Sequence, residues 1–414
     1  MKWSNFLVSL ALICFTTICG FAQTDINIGK SYTINSEVLE QEREIQVYLP
    51  AGYQDSKQEY PVLYILDGQW FFTNGVAIQH SLRAPSRLPE MIVVGIQNQN
   101  PLRRTLFWEE RDQFLSFLEI EVNAFIHKNF RASTDRILFG WEAGAAFACY
   151  AILHPKSLFS AAIVTNGAYA DEEMLDAFSR LKTPSPKNLF IANSRKDIYS
   201  IDNSNSLVDL LTEKAPSHLT WEYREFNNEV HESLPFLALY HGLNHYYHNY
   251  KSLVFGSIQE YNDLGGLTYL KDYYQKRGER FGFPTDIDDS AKNSLIWLAW
   301  KRDNFEAFAL FMTEFEDVLS TRRYNSAYWQ NRFAQFYLKH NDLERAIYFF
   351  NQGISKYPEA SRIAVMHHGL GKTYLKKKDK KRALQHFEKA VSLGEKIKDP
   401  ALETYKEELL RLKG

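Results

Sequence analysis

The apolar run Ile137-Leu138-Phe139 passes through Gly140-Trp141-Glu142-Ala143-Gly144 straight into the small-residue helix pattern Ala145-Ala146. A strand that turns this abruptly into a helix needs glycine or alanine around its central residue, because backbone and helix crowd it, and the turn lifts the central side chain out for chemistry. Here that side chain is Glu142, a carboxylate where such turns usually carry a nucleophilic hydroxyl. His241, His245 and His248 have i, i+4, i+7 spacing and share one helix face, as metal ligands would. No carboxylate or cysteine joins them at ligand spacing, and Tyr240, Tyr246 and Tyr247 make packing the simpler reading, so neither a metal nor a cofactor is expected. Trp70, Phe71 and Phe72 either line a pocket for an apolar or sugar-like ligand or belong to the core.

Positioning Glu142 requires a sheet. From about Asn27 to Leu253 short β-rich runs alternate with longer helical ones, the pattern of strands joined by helices. Residues 62–66, 91–96, 137–139 and 188–192 are continuous apolar runs, predicted as parallel strands covered on both faces. Residues 44–49 and 221–226 alternate apolar and polar, predicting half-buried strands, the second nearer an edge. Periodicity lapses over 256–285, around Gly265-Gly266, Gly282 and Pro284, which places a linker there. Beyond it the pattern is all helical. Phe333, Ala334, Tyr337, Ala346 and Phe350 recur one repeat later as Leu370, Gly371, Tyr374, Ala383 and Phe387, and Leu298, Ala307 and Phe311 suggest an earlier copy. Small residues at a helix crossing with bulky ones beside them suit stacked helical pairs and resemble the tetratricopeptide repeat. The Lys376–Arg382 run, broken by Asp379, reads as the solvated turn between two of these helices.

The 414 residues, 45% hydrophobic and 24% charged, suffice for two cores. With 48 Lys and Arg against 50 Asp and Glu there is no electrostatic case for a nucleic-acid partner. Lys2, the apolar stretch from Phe6 to Ile18 and Gly20-Phe21-Ala22 predict a signal peptide over 1–22, removed on export to the periplasm or beyond, with no membrane span in the mature chain. Cys14 and Cys19 fall within it, leaving Cys149 as a packing residue of an apolar helix.

Tyr48-Leu49-Pro50 with Gly52-Tyr53, Tyr64-Ile65-Leu66-Asp67-Gly68, Gly95-Ile96-Gln97-Asn98 with Arg103-Arg104, the Glu142 turn, and His231 to Pro235 occur in an order and spacing that resembles the esterase D-like putative esterases, a branch of the α/β-hydrolases that includes enterochelin esterase-like enzymes. The resemblance implies an α/β-hydrolase domain over 23–255 followed by tetratricopeptide-like helical repeats over 286–414. It implies a serine nucleophile, a histidine base, a carboxylate that orients it, and backbone N–H groups forming an oxyanion hole. His231 takes the base position. Ala143 and the turn Asp67-Gly68-Gln69 take the oxyanion positions, with Trp141 and Trp70 beside them. The nucleophile position holds Glu142, and the acid position aligns with Lys196, so Asp197 serves only if its loop is shifted by one. Glu142 near His231 would form a charged hydrogen bond that raises the histidine pKa. The site then admits two readings. One is a pseudoenzyme that binds a small molecule in the pocket and a protein on its repeats; the other is an active hydrolase using Glu142 and His231, or a displaced serine such as Ser194 or Ser233.

Overall fold

The structure, a computed structural model, describes residues 26–82, 87–99, 101–182, 185–199 and 201–414. The expected signal peptide, 1–22, lies outside the described residues. The chain divides into two compact units, Met1–Tyr246 and Tyr247–Gly414. No helix among the described residues is long and apolar enough to cross a membrane.

The first unit is built on one eight-stranded sheet: β1 Lys30–Ser36, β2 Gln41–Tyr48, β3 Tyr60–Leu66, β4 Ile92–Ile96, β5 Ala132–Trp141, β6 Ala161–Thr165, β7 Lys187–Ser194 and β8 Leu219–Phe226. Their order is β1-β2-β4-β3-β5-β6-β7-β8. The hairpin β1–β2 is antiparallel and joins β4 antiparallel; from β4 to β8 every pair is parallel. The apolar runs 62–66, 91–96, 137–139 and 188–192 thus form the parallel centre, and 221–226 forms its edge. Two strands escape the sequence pattern. β1 is polar enough to resemble a loop, and β6, Ala-Ala-Ile-Val-Thr, is too short and small to stand out.

Alternating side chains divide the centre between two helical layers. Ile65, Leu63 and Val93 meet helix Gly68–Leu82, which approaches so closely that a Cβ on Gly75 would lie 2.3 Å from Ile65. Tyr64, Leu66 and Leu138 face the opposite way, into a core with Phe107, Phe114 and Phe147. The elbow helix Ala143–Leu153 is buried along nearly its whole length, Cys149 included.

The second unit is helical throughout. Residues 256–285, read as a linker, form helices Ile258–Asp263 and Gly266–Phe281, because Tyr261, Leu270 and Tyr274 are buried in that unit's core despite the flanking glycines. Helices Asp289–Lys301 and Phe305–Glu314, Ala327–Lys339 and Leu343–Lys356, and Ile363–Lys376 and Lys380–Ile397 come next as hairpins, closed by Leu402–Lys413. The residues expected to recur are buried in both later hairpins, and a Cβ on Gly371 would lie 2.6 Å from the Phe387 ring.

One turn is repeated between the helices of each hairpin. Asp303, Asn341 and Lys378 have φ of 56°, 63° and 62°. Asn304, Asp342 and Asp379 come next, each donating its N–H five residues back (3.0, 3.0 and 2.9 Å). Their side chains cap the next helix, accepting from the N–H groups of Ala307, Arg345 and Arg382. Lys398 and Asp399 repeat the backbone half of this turn. Between the last hairpin's helices, His367 and His386 face each other through Nδ1 atoms 3.0 Å apart. Burial, then each other's charge, pushes the His367 pKa down to about 4.

Candidate functional site

Parallel strands direct their carboxyl ends to one edge of the sheet, where α/β folds bind ligands. β3, β4, β5, β6 and β7 here deliver Asp67, Asn98, Glu142, Asn166 and Asp197. β5 ends in the elbow predicted from the sequence. Glu142 has φ 55° and ψ −123°, a conformation that costs a non-glycine residue about 1–3 kcal/mol and persists only where its surroundings enforce it. They do so by proximity: a Cβ on Gly140 would lie 2.1 Å from the Gly144 carbonyl oxygen, and one on Gly167 would lie 2.4 Å from the Glu142 carbonyl oxygen.

The Glu142 carboxylate pairs with Arg103, not His231. Arg103 Nη1 donates to Glu142 Oε2 at 2.9 Å, while Nε and Nη2 donate at 2.9 Å to the two oxygens of Asp67, whose side chain is fully buried. The guanidinium carbon lies 5.5 Å from the Trp70 ring, 5.4 Å from Phe107 and 5.5 Å from Trp141. Burial works against the charge on Arg103, but Asp67 and Glu142 outweigh it and hold its pKa above the ordinary value. Burial pushes the Asp67 carboxyl up to about 6, against the pull of Arg103. At neutral pH one cation therefore serves two carboxylates. The Glu142 side chain is about half exposed, so this third contact faces the pocket.

His231 has a different acid. Its Nδ1 hydrogen-bonds Asp197 Oδ2 at 2.7 Å, with the Asp197 side chain buried. The chain turns sharply after β7, with the Asp197 N–H donating to the Ser194 carbonyl at 3.1 Å, and the Asp197 carboxylate, not Lys196, meets the imidazole. The carbonyl of His231 accepts from Asn166 Nδ2 (2.8 Å) and Trp141 Nε1 (3.2 Å), and the Trp141 ring packs 4.8 Å from the imidazole. Trp141, adjacent to the elbow residue, thus fixes the histidine loop.

Above Glu142 and His231 is an open cavity of about 520 Å³, walled by Trp108, Tyr169 and Tyr199 with Arg104 at one side and Ala143, Asn166 and Gly167 at its base. Ala143 is the first residue of its helix, so its N–H has no partner within that helix, and the residue lines the cavity. Gly68, Gln69, Trp70 and Trp141 stand behind the lining. The Gln69 side chain braces its turn, donating to the Asn98 carbonyl (2.9 Å) and accepting from the Asn98 N–H (3.0 Å). Phe71 and Phe72 are core. Ser194 is buried and donates to the Glu229 carbonyl, and Ser233 donates to the Glu229 carboxylate at 2.7 Å; neither lines the cavity.

His241 and His245 turn to β8, His241 against Arg224 (2.8 Å) and His245 Nδ1 against Glu222 (2.7 Å), while His248 lies past the helix end at Tyr246. No group of three or more His, Cys, Asp or Glu among the described residues is placed to hold a metal. Sequence reasoning missed Arg103 as a site residue, together with Asp67 as its partner, Asn166, and the aromatic walls. The position of Arg103 just beyond β4, at the carboxyl edge of the sheet, was the available signal.

Residues 36–253 match the family described as Putative esterase. A solved structure of an uncharacterised protein from Capnocytophaga ochracea DSM 7271 is similar at a TM-score of 0.54 and 18% identity, with 93% of this chain and 99% of that one covered. An IroE-like serine hydrolase from Shewanella oneidensis is similar at a TM-score of 0.51 and 22% identity, covering 69% of this chain and 98% of that one. At these identities the likeness is one of fold. Among curated proteins, an uncharacterized protein, YbbA, of Bacillus subtilis (strain 168) is 27% identical over 143 residues, 31% of this chain and 57% of that protein, so the match spans little more than half of that relative.

Proposed function

The chain belongs to the putative esterase family, and from that premise we propose that its first unit binds a small molecule without hydrolysing esters. The observation that carries this reading is the engagement of Glu142 by Arg103 beneath an open cavity. A carboxylate that attacked an ester carbonyl would form an anhydride and expel an alkoxide, an uphill exchange, and Glu142 is in any case engaged by a cation it shares with Asp67. What the pocket offers is recognition: a carboxylate acceptor, an imidazole oriented by Asp197, a helix-start N–H at Ala143 and aromatic walls. The second unit completes the proposal as tetratricopeptide-like repeats that bind a protein partner, a reading supported by the threefold turn. The signal-like segment 1–22 supports an exported protein, periplasmic or secreted.

The His231–Asp197 pair favours one other reading, in which the site still hydrolyses. Glu142, released from Arg103, would attack an epoxide carbon as its ring C–O bond breaks and the alkoxide takes a proton from water, and His231 would deprotonate the water that cleaves the resulting ester, releasing a diol and restoring the Glu142 carboxylate. The deciding experiment is hydrolysis of a short-chain aryl ester, together with a terminal aryl epoxide, by the wild type, Glu142→Ser and His231→Ala. Inert wild type and a gain of aryl-ester turnover in Glu142→Ser that is lost in Glu142→Ser/His231→Ala support the binding reading. Wild-type turnover of either substrate that His231→Ala abolishes overturns it.

A further inference from the structure

The second unit holds a cavity of about 850 Å³, larger than the one above Glu142 and formed between helices Ala327–Lys339, Ile363–Lys376 and Leu402–Lys413. Its floor is apolar, from Leu338, Leu375, Phe387 and Leu412. Its rim is basic, from Lys339, Lys372, Lys376 and Arg411. A neighbouring depression of about 440 Å³ shares Gln335 and Lys339 with it and continues past Arg332 to Trp300 and Lys301, so the two form one groove.

Six cations thus line the groove against two carboxylates, Glu408 and Asp303, in a chain whose charges otherwise nearly balance at 48 to 50. Both carboxylates are occupied, Glu408 by His368 at 2.8 Å, and Asp303 by Lys339 at 2.6 Å and His340 at 2.9 Å. Lys372 and Lys376, one helical turn apart, have no carboxylate at ion-pair distance among the described residues, and neither do Lys301 and Arg332; Lys376 donates to the Leu338 carbonyl at 3.2 Å and Arg332 to the Tyr328 hydroxyl, so their charges are held without being neutralised. Cations without carboxylate partners beside apolar side chains complement a ligand that carries anions and apolar groups together.

We propose that this groove binds an extended acidic polypeptide segment, one in which carboxylates alternate with apolar side chains. An extended strand projects successive side chains to opposite sides, so its carboxylates reach the lysines while its apolar residues descend to Leu338, Leu375 and Phe387. A single-stranded nucleic acid fits less well. Its bases need open aromatic faces, and the Trp300 ring is already covered by Arg332, 4.2 Å from its centroid. The proposal rests on the second unit being a protein-binding surface and names the chemistry of the partner.

The test is fluorescence anisotropy of the full chain with three labelled probes: a Glu/Leu-alternating peptide of about 12 residues, its Lys/Leu counterpart, and a dT oligonucleotide of about 12 nucleotides. Saturable binding of the acidic peptide is expected, weakening as salt rises from about 50 to about 500 mM, and at least about tenfold weaker in Lys372→Glu/Lys376→Glu. Both lysines are exposed, so the variant's thermal transition is expected to match wild type; if it does not, Lys372→Ala/Lys376→Ala is used and is expected to weaken binding severalfold. Equal affinity in wild type and variant overturns the proposal, as does a dT probe that binds as tightly as the acidic peptide. Binding of the basic peptide alone overturns it but leaves the protein-binding reading standing. If neither peptide binds, both fall.

Discussion

Arg103→Met tests whether one guanidinium holds the site together, and its cost can be worked from Asp67. That carboxyl moves from an ordinary 3.8 to about 6 in the folded protein, so at pH 7 folding with it ionised already costs about 3 kcal/mol. Without Arg103 the buried carboxyl would instead take up a proton on folding, which costs about 4 kcal/mol at pH 7 for a group of ordinary pKa 3.8. The ionisation part of the penalty is therefore about 1 kcal/mol. The lost hydrogen bonds to two carboxylates and the contacts with three rings add about 2 kcal/mol, for a total near 3 kcal/mol. Because the folded pKa lies above the unfolded one, the contribution of Asp67 to stability is greatest below pH 3.8 and is lost as pH rises toward 6. Above about 6 the wild type loses no more, whereas the variant goes on losing. The penalty should therefore shrink by about 1 kcal/mol between pH 7 and pH 5. Hydrogen exchange of peptides from β3 and β5, corrected for intrinsic rates, reads this unit alone. A penalty under about 1 kcal/mol, or one as large at pH 5 as at pH 7, refutes the reasoning. Arg103→Met/Asp67→Asn should recover part of the loss, since no charge is then left buried.

If Glu142→Ser gains esterase activity, adding Asp197→Asn should lower kcat by about a hundredfold or more, because His231 loses the acid that fixes its tautomer; unchanged kcat would remove Asp197 from that role. Gly140→Ala should destabilise the first unit by about 2–4 kcal/mol, as its Cβ would meet the Gly144 carbonyl, and exchange of β5 peptides is the readout. The His367 pKa lies below its ordinary 6.5, so the stability it contributes is present above 6.5 and lost as pH falls toward about 4. Allowing for partial exposure, this amounts to about 1–2 kcal/mol, and exchange in helix Ile363–Lys376 should lose part of its acid sensitivity in His367→Leu, the remainder coming from His368 and His386, which burial also holds below the ordinary value. Asp379→Ala should destabilise its hairpin by about 1 kcal/mol, measured in helix Lys380–Ile397.

The buried strands were legible because parallel strands covered on both faces are written as unbroken apolar runs, and the elbow because its small residues answer a steric demand that is local. What could not be read was set by tertiary contact. The sequence places Glu142 and His231 in one site and invites a pair between them. Arg103 precedes Glu142 by 39 positions and reaches it only because β4 and β5 end at the same edge of the sheet. Asp197 precedes His231 by 34 positions, and only the tight turn after Ser194 together with the histidine loop brings the two side chains into contact. The 256–285 stretch misled for the opposite reason: its glycines sit at the helix ends, where Gly265 and Gly282 take positive φ, and they punctuate two helices that the core then holds.

The turn that repeats at Asp303, Asn341 and Lys378 gives three successive hairpins the same joint, so one backbone solution, a positive-φ residue followed by a capping Asn or Asp, is used three times over. The sheet of the first unit has no such repetition, because the ends of β3 to β7 each hold a different piece of one site.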